Sequence, residues 1–388
     1  MRNSVVAAAV GLCLSGMVFG VPRDLDMGTI GANVPNLNTS LRSMAFELAL
    51  LGDSGQDHSP SEGIVSFSPS GRIPLEINSQ RGAANSGADH GISLWKRVSF
   101  DSSFGLSQRS ANLSWSIASD MSGERAPNVL SELSYEGLQI RGVEVQSHFY
   151  FLGGLLDGSF VDLRVNRGAI SGGETRDSDY SGDNKTKEYS RSLSRNTGDY
   201  VADYSLAYGY RWVSNETLSA DVLAGYSLHH QFVRKQNAVR VEPESGVMSG
   251  SPIKGLNSTY QSEWQGPWVG AALSWEGERH KLKVQSEIHS AFYYAEANWN
   301  LRDSFMHPKS FEHNATGLGW VFDLSYAYEL SFAKANKSVV GVSYRAESWL
   351  AKDGVDTLYL ANGEAVSTRL NEVTWGGSAM SVYFKVHR

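Results

Sequence analysis

Residues 200–212 read YVADYSLAYGYRW. In an extended chain Tyr200, Ala202, Tyr204, Leu206, Tyr208, Tyr210 and Trp212 share one face, while Val201, Asp203, Ser205, Ala207, Gly209 and Arg211 share the other. A period of two is the signature of a strand with two unlike faces. The run is longer than the usual strand of about 5 or 6 residues, and its apolar face ends in aromatic rings.

The same pattern recurs toward the C-terminus. Val222, Ala224, Tyr226, Leu228 and Phe232 oppose Asp221, Gly225, Ser227 and Gln231. Leu282, Val284 and Ile288 oppose Lys281, Lys283, Gln285 and Glu287. Leu318 to Leu330 and Met380 to Val386 repeat it. Runs of roughly 9 to 15 residues are long enough to cross a bilayer when tilted. A soluble sandwich also alternates, but with shorter strands. A lipid-facing barrel needs aromatic girdles, and these segments carry them.

The connections alternate in length. Short links at 213–218, 276–279 and 331–337 separate long ones at 168–198, 234–260, 295–316 and 352–376. Tight periplasmic turns and long outer loops give that rhythm. With 104–120 as the first strand, the count is ten and both ends of the barrel lie on the periplasmic side. The fold expected is all-β: a ten-stranded antiparallel up-and-down transmembrane barrel over 101–388, preceded by a periplasmic extension or plug at 21–100. Within the extension, NTSLRSMAFELALLGD is a candidate short helix capped near Asn38.

Before that, Arg2 supplies a positive start, Val5 to Phe19 an apolar core and Gly20 a small residue, the pattern of a secretory signal over 1–20. The location expected is therefore the outer membrane of a Gram-negative cell, reached through the periplasm. No later run of about 20 apolar residues exists, which excludes spanning helices from the body of the chain. A net charge of -7 argues against non-specific nucleic-acid binding. The one cysteine, Cys13, lies in the signal, so the processed chain forms no disulfide and no thiolate metal site. Neither a phosphate-binding glycine loop nor a His-Glu-x-x-His element occurs, and no cofactor is implied.

The most chemically suggestive stretch is DSDYSGDNKTKE, 177–188. Its acidic positions, with Gly182 sixth and Glu188 twelfth, follow the calcium-loop pattern. An EF-hand needs flanking helices, however, and both neighbours read as strands. Asn184 and Lys185 also stand where an apolar residue and an oxygen ligand belong. Opportunistic calcium binding, a water-activating carboxylate pair and a solvated acidic rim all stay open. If the strand reaches residue 180, Asp177 and Asp179 share a face with Cα atoms about 7 Å apart. Like charges would then raise one of the two pKa values. Gly168, Gly172 and Gly173 precede the pair, and a bulge there could turn it inward or outward.

RDSDY, together with SELSYEGLQIRG, LAGYSLHHQF and YQSEWQGPWVGAALSW, resembles the omptins, ten-stranded outer-membrane proteases, over most of 104–388. The resemblance implies that Asp177 and Asp179 take the places of the family's catalytic aspartate pair. The family's second pair, Asp-x-His, is matched by NWNLRDSFMHPKSFEH, where the nearest candidates are Asp303 and His307. Spaced by four, they lie about 13 Å apart on an extended strand unless a turn folds them together. Alternatively Asp303 matches an acidic specificity residue, which leaves Phe305 where the histidine-orienting aspartate belongs. His313 is a further histidine candidate. The same block is similar to porin-like and adhesin-like relatives, including the Protochlamydia outer membrane protein family.

By the omptin likeness, Asp120 and Glu124 would bind a basic substrate side chain. Arg234, Lys235 and Arg240 would bind lipopolysaccharide phosphates as charge-assisted pairs. His229 and His230 are adjacent, so only one can face inward, and no further metal ligand stands at strand spacing. Two functions are consistent with these residues. One is a non-catalytic barrel, whether porin, adhesin or structural protein, meeting membrane lipid, lipopolysaccharide and a peptide or host-surface ligand at its outer loops. The other is an endopeptidase that activates water between Asp177/Asp179 and Asp303/His307.

Overall fold

A computed structural model describes residues 94–333 and 336–387. The signal at 1–20, the helix expected near 38–53 and nearly all of the extension at 21–100 lie outside the described residues. The described residues form thirteen strands: β1 (Arg97–Ile117), β2 (Ser131–Leu152), β3 (Ser159–Gly182), β4 (Thr186–Arg195), β5 (Asp199–Ser214), β6 (Leu218–Gln236), β7 (Val239–Val241), β8 (Met248–Ser249), β9 (Asn257–Glu276), β10 (His280–Asn298), β11 (Phe311–Ala333), β12 (Asn336–Tyr359) and β13 (Ala365–His387). Ten of them close a ring of antiparallel neighbours in the order β1-β2-β3-β5-β6-β9-β10-β11-β12-β13, and β13 returns to β1. The others, β4, β7 and β8, extend the upper part of β3 sideways into a small outer sheet. The expected ten-stranded barrel is the fold. Closure removes every edge from the lipid, where an unpaired backbone group would cost several kcal/mol.

Side chains follow the alternation of the sequence. Leu206, Tyr208, Tyr210 and Trp212 point outward, Trp212 at 74% exposure, while Ala207 is buried inside. Leu106, Val143, Val269, Ile288, Leu324 and Val382 extend this outward apolar belt around the ring. Above Leu106 the exposed residues of β1 turn polar at Gln108, Ser110 and Asn112. A strand needs only about 9–11 residues to cross the hydrocarbon, so roughly half of a strand such as the 22-residue β2 stands beyond it.

This corrects the expected loops. The stretch 352–376 is not a long loop: β12 continues to Tyr359, β13 begins at Ala365, and only Leu360–Glu364 joins them. Likewise β3 runs to Gly182, through much of 168–198. Outside the lipid both faces of the wall are wet or loop-covered, so the hydropathy contrast fades although the hydrogen-bonded ladder goes on.

The upper lumen is filled. One cluster of buried residues draws on all ten barrel strands, from Trp115 on β1 and Tyr135 on β2 through Tyr260, Trp264, Tyr293 and Trp349 to Trp375 on β13. Trp264 lies 4.5 Å from Tyr293 and 5.9 Å from Trp349, centroid to centroid. The Tyr260 and Tyr293 hydroxyls are hydrogen-bonded at 2.5 Å. Each such ring contributes about 1.5–3 kcal/mol by leaving water.

Candidate functional site

A cavity of about 270 Å³ lies at the outer mouth, above this aromatic layer. Asp177 and Asp179 of β3 line it from one side, and Asp356 of β12, Arg302 and Phe305 from another. Backbone irregularities place the carboxylates there. Lower on β3 the buried, lumen-side positions are even, as at Asp162, Gly168 and Ile170. Between Ile170 and Glu174 the register against β2 shifts twice, with Gly173 at φ 137°. Beyond the shift Thr175, Asp177 and Asp179 face inward. The matching shift on β2 carries Gly137 at φ 59°. On β12, Asp353 at φ 53° has the same effect: Ala351 is buried on one side of it and Gly354 and Asp356 on the other.

The two aspartates have different surroundings. Lys235 Nζ, reaching across from β6, donates to Asp177. Asp179 stands between Ser131 and Ser190, its cross-strand neighbours. Burial first, and the Asp177 charge second, push the Asp179 carboxyl above the usual range.

Asp356 accepts a hydrogen bond from Thr368 Oγ1 at 3.0 Å. His313 Nε2 lies 3.2 Å from Asp356 Oδ1 but is not aligned for a hydrogen bond. Its Nδ1 shares a 2.9 Å hydrogen bond with the Tyr260 hydroxyl, and the ring is fully buried beside Trp115. The mouth thus holds an Asp–His contact, but with the carboxylate facing the cavity and the imidazole behind it.

Asp303 and His307 are not brought together. Both are exposed, and His307 Nδ1 pairs with Asn298 Oδ1 at 2.8 Å. Among the described residues the Asp303 carboxylate has no side-chain partner. Phe305 takes the position facing the acid pair, pinned by its bridge to Leu360. Sequence spacing could not find Asp356, because Asp353 reverses the face of the residues after it.

The other candidates also move. Asp120 accepts from Ser122 Oγ and from the Gly123 amide at 2.8 Å, so it caps its own loop. Glu124 is exposed, and neither residue lines the mouth cavity. Lys235 points into the lumen, away from lipid, because it shares the inward parity of Gln231 and Val233. Arg234 faces outward but is bound to Asp199, Nε to Oδ1 at 2.6 Å, and to the Gly198 carbonyl at 2.9 Å. Arg240 on β7 is exposed.

The calcium-like stretch is a hairpin tip. Asn184 and Lys185 both have positive φ, 55° and 60°, and the Thr186 amide donates to the Asp183 carbonyl at 3.1 Å. That is the primed turn that matches strand twist. The Asn128 amide donates to Asp183 Oδ1 at 2.9 Å. Among the described residues no group of His, Cys, Asp and Glu side chains is placed to hold a metal ion.

Residues 103–387 match the model of a family described as Protochlamydia outer membrane protein. No curated protein matches the sequence. Among solved structures, the outer membrane protease OmpT from Escherichia coli is similar, with TM-score 0.59 and 11% identity over 75% of this chain and 97% of that one. A FadL homologue from Pseudomonas aeruginosa gives TM-score 0.27 and 8% identity over 74% of this chain and 90% of that one. The first likeness shows a shared barrel fold.

Proposed function

This chain belongs to the Protochlamydia outer membrane protein family, and from that premise we propose that it is a non-catalytic, non-conducting surface barrel whose mouth binds a cationic group. It is an outer membrane β-barrel protein; the binding role is the finer reading. The observation that carries it is the face opposite Asp177 and Asp179. There Phe305, Phe311 and Trp299 line the cavity beside Asp356, and among the described residues no histidine reaches the lining, where hydrolysis would need one. Three carboxylates, Asp177, Asp179 and Asp356, stand here against Arg302 and the Lys235 that pairs with Asp177, and carboxylates set among aromatic rings suit an ammonium or guanidinium, which gains both charge pairing and ring contact. A filled upper lumen supports adhesion or reception over passage. Arg234 and Arg240 support lipopolysaccharide binding at the rim; Lys235 does not.

The test is a dibasic peptide incubated with full-length refolded protein and lipopolysaccharide. The peptide should stay intact and bind, and Asp179→Asn should weaken binding about tenfold, as expected for a charged contact worth about 1.5 kcal/mol. Cleavage abolished by Asp179→Asn would overturn the reading, as would wild-type conductance steps in a planar bilayer.

A second reading rests on the His313–Asp356 contact at the same cavity. In it, water between Asp179 and Asp356 attacks a peptide bond, much as in a protease of OmpT's fold. Cleavage that disappears in Asp356→Asn would favour it.

A further inference from the structure

Beneath the aromatic layer the lumen widens into a chamber of about 900 Å³ that reaches the end of the barrel bearing the short turns. Its lining carries charges of both signs, but most of the unmet hydrogen-bonding capacity of the lining residues is donor. Arg109 Nη1, Arg164 Nε and Arg345 Nε are buried without an aligned acceptor, and all three residues line the chamber. The nearest carboxylate oxygens, Glu347 Oε1 at 3.3 Å from Arg109 Nη1 and Asp162 Oδ2 at 3.1 Å from Arg164 Nε, are out of line. Lys283 also lines the chamber, and among the described residues its ammonium has no carboxylate within 4.0 Å. The charges acting on it are Asp162 and Asp221 of one sign and Arg164 and Lys385 of the other.

On the acceptor side, among the described residues, only His229 Nε2, whose sign follows the protonation of the ring, is unpaired on the lining, and Asp162 Oδ2 is unpaired just behind it beside Arg164. Guanidinium and ammonium groups only donate, and buried donors in folded proteins are met by acceptors. Water would bring donors as well as acceptors. An oxyanion brings acceptors alone, with a charge to match Lys283.

We propose that this chamber binds a phosphate or carboxylate group of a soluble periplasmic molecule, with Lys283 as its charge partner and Arg164 and Arg345 as flanking donors. The volume lies within the range of small-molecule sites, about 300–1,000 Å³. The aromatic layer closes the chamber above, so the guest enters and leaves by the same end. This inference does not depend on the reading of the outer mouth.

Radiolabelled inorganic pyrophosphate is the probe, in equilibrium dialysis against the refolded full chain in micelles. Wild type should retain about one equivalent at a dissociation constant below about 1 mM. Lys283→Met should weaken retention about tenfold or more, whereas Lys283→Arg should stay within a few-fold of wild type. No retention by wild type, or equal retention by Lys283→Met, would overturn the proposal. Displacement by phosphatidylglycerol vesicles but not by free phosphate would overturn the soluble source. Should Lys283→Met fail to fold, labelling of wild type by an amine-reactive reagent decides: protection of Lys283 by pyrophosphate supports the site, and unchanged labelling removes it.

Discussion

Lys235, near the top of β6, donates its ammonium to Asp177 on β3, although the two strands are not neighbours in the ring. Pairing of β3 with β5 ends at Ile170, and above it β3 turns instead to β4. The ion pair spans the notch this leaves and half-neutralises the acid pair at the mouth. Asp177 is mostly shielded from water, so losing its partner leaves a poorly solvated charge.

Lys235→Met should therefore act in two opposite directions. Folding stability should drop by about 1.5–3 kcal/mol, the range for a charged hydrogen bond. A dibasic peptide should bind several-fold more tightly, because the mouth becomes more acidic. Denaturant unfolding and fluorescence titration of one preparation measure both. Weaker binding would show that Lys235 positions Asp177 rather than competing with the ligand.

Asp179 gives a pH dependence. Burial, then the Asp177 charge, raises its carboxyl above the ordinary value. The folded state thus holds a proton that the unfolded chain has released, and the site's contribution to stability falls as pH rises between the ordinary and the raised pKa. Cation binding needs the ionised form, so affinity should climb with pH through the raised value. In Asp177→Asn the climb should shift to lower pH, since one cause of the elevation is gone. Affinity measured from about pH 3 to 8 tests this, and an unshifted midpoint would contradict it.

The aromatic layer predicts silence in a planar bilayer. Trp264→Ala and Trp349→Ala should each cost about 3–5 kcal/mol, the usual price of truncating a buried large ring. Together they should open a path between mouth and chamber and give conductance steps absent from wild type. Silence in a folded double variant would mean that other side chains also seal the lumen.

Gly173 can be tested alone. At φ 137° a side chain is strained, and a Cβ would come 2.8 Å from Leu138 Cδ2 and 3.1 Å from Leu138 Cα. Gly173→Ala should cost about 1–3 kcal/mol, disturb the register and lose peptide binding as Asp177 and Asp179 leave the cavity. The barrel below, marked by heat-dependent gel mobility, should persist. Full binding by Gly173→Ala would mean that the acid pair does not depend on this bulge.

The sequence alone determined the wall of this protein: closure, ten strands, and which face of β5 or β11 meets lipid. Where a strand has lipid on one side and charges such as Asp203 or Glu287 on the other, each residue carries its own address in its polarity. It also marked Asp177 and Asp179 as the chemically distinctive pair and Phe305 as the residue in the place of a carboxylate. Tertiary structure decided which way those residues point. Above the lipid the polarity contrast ends, and a one-residue bulge reverses every side chain after it. Gly173 turns Asp177 inward, and Asp353 turns Asp356 to the same cavity. The ion pair from Lys235, the contact of His313 with Asp356 and the filling of the lumen join residues far apart in the chain, brought together by ring closure rather than by local preference.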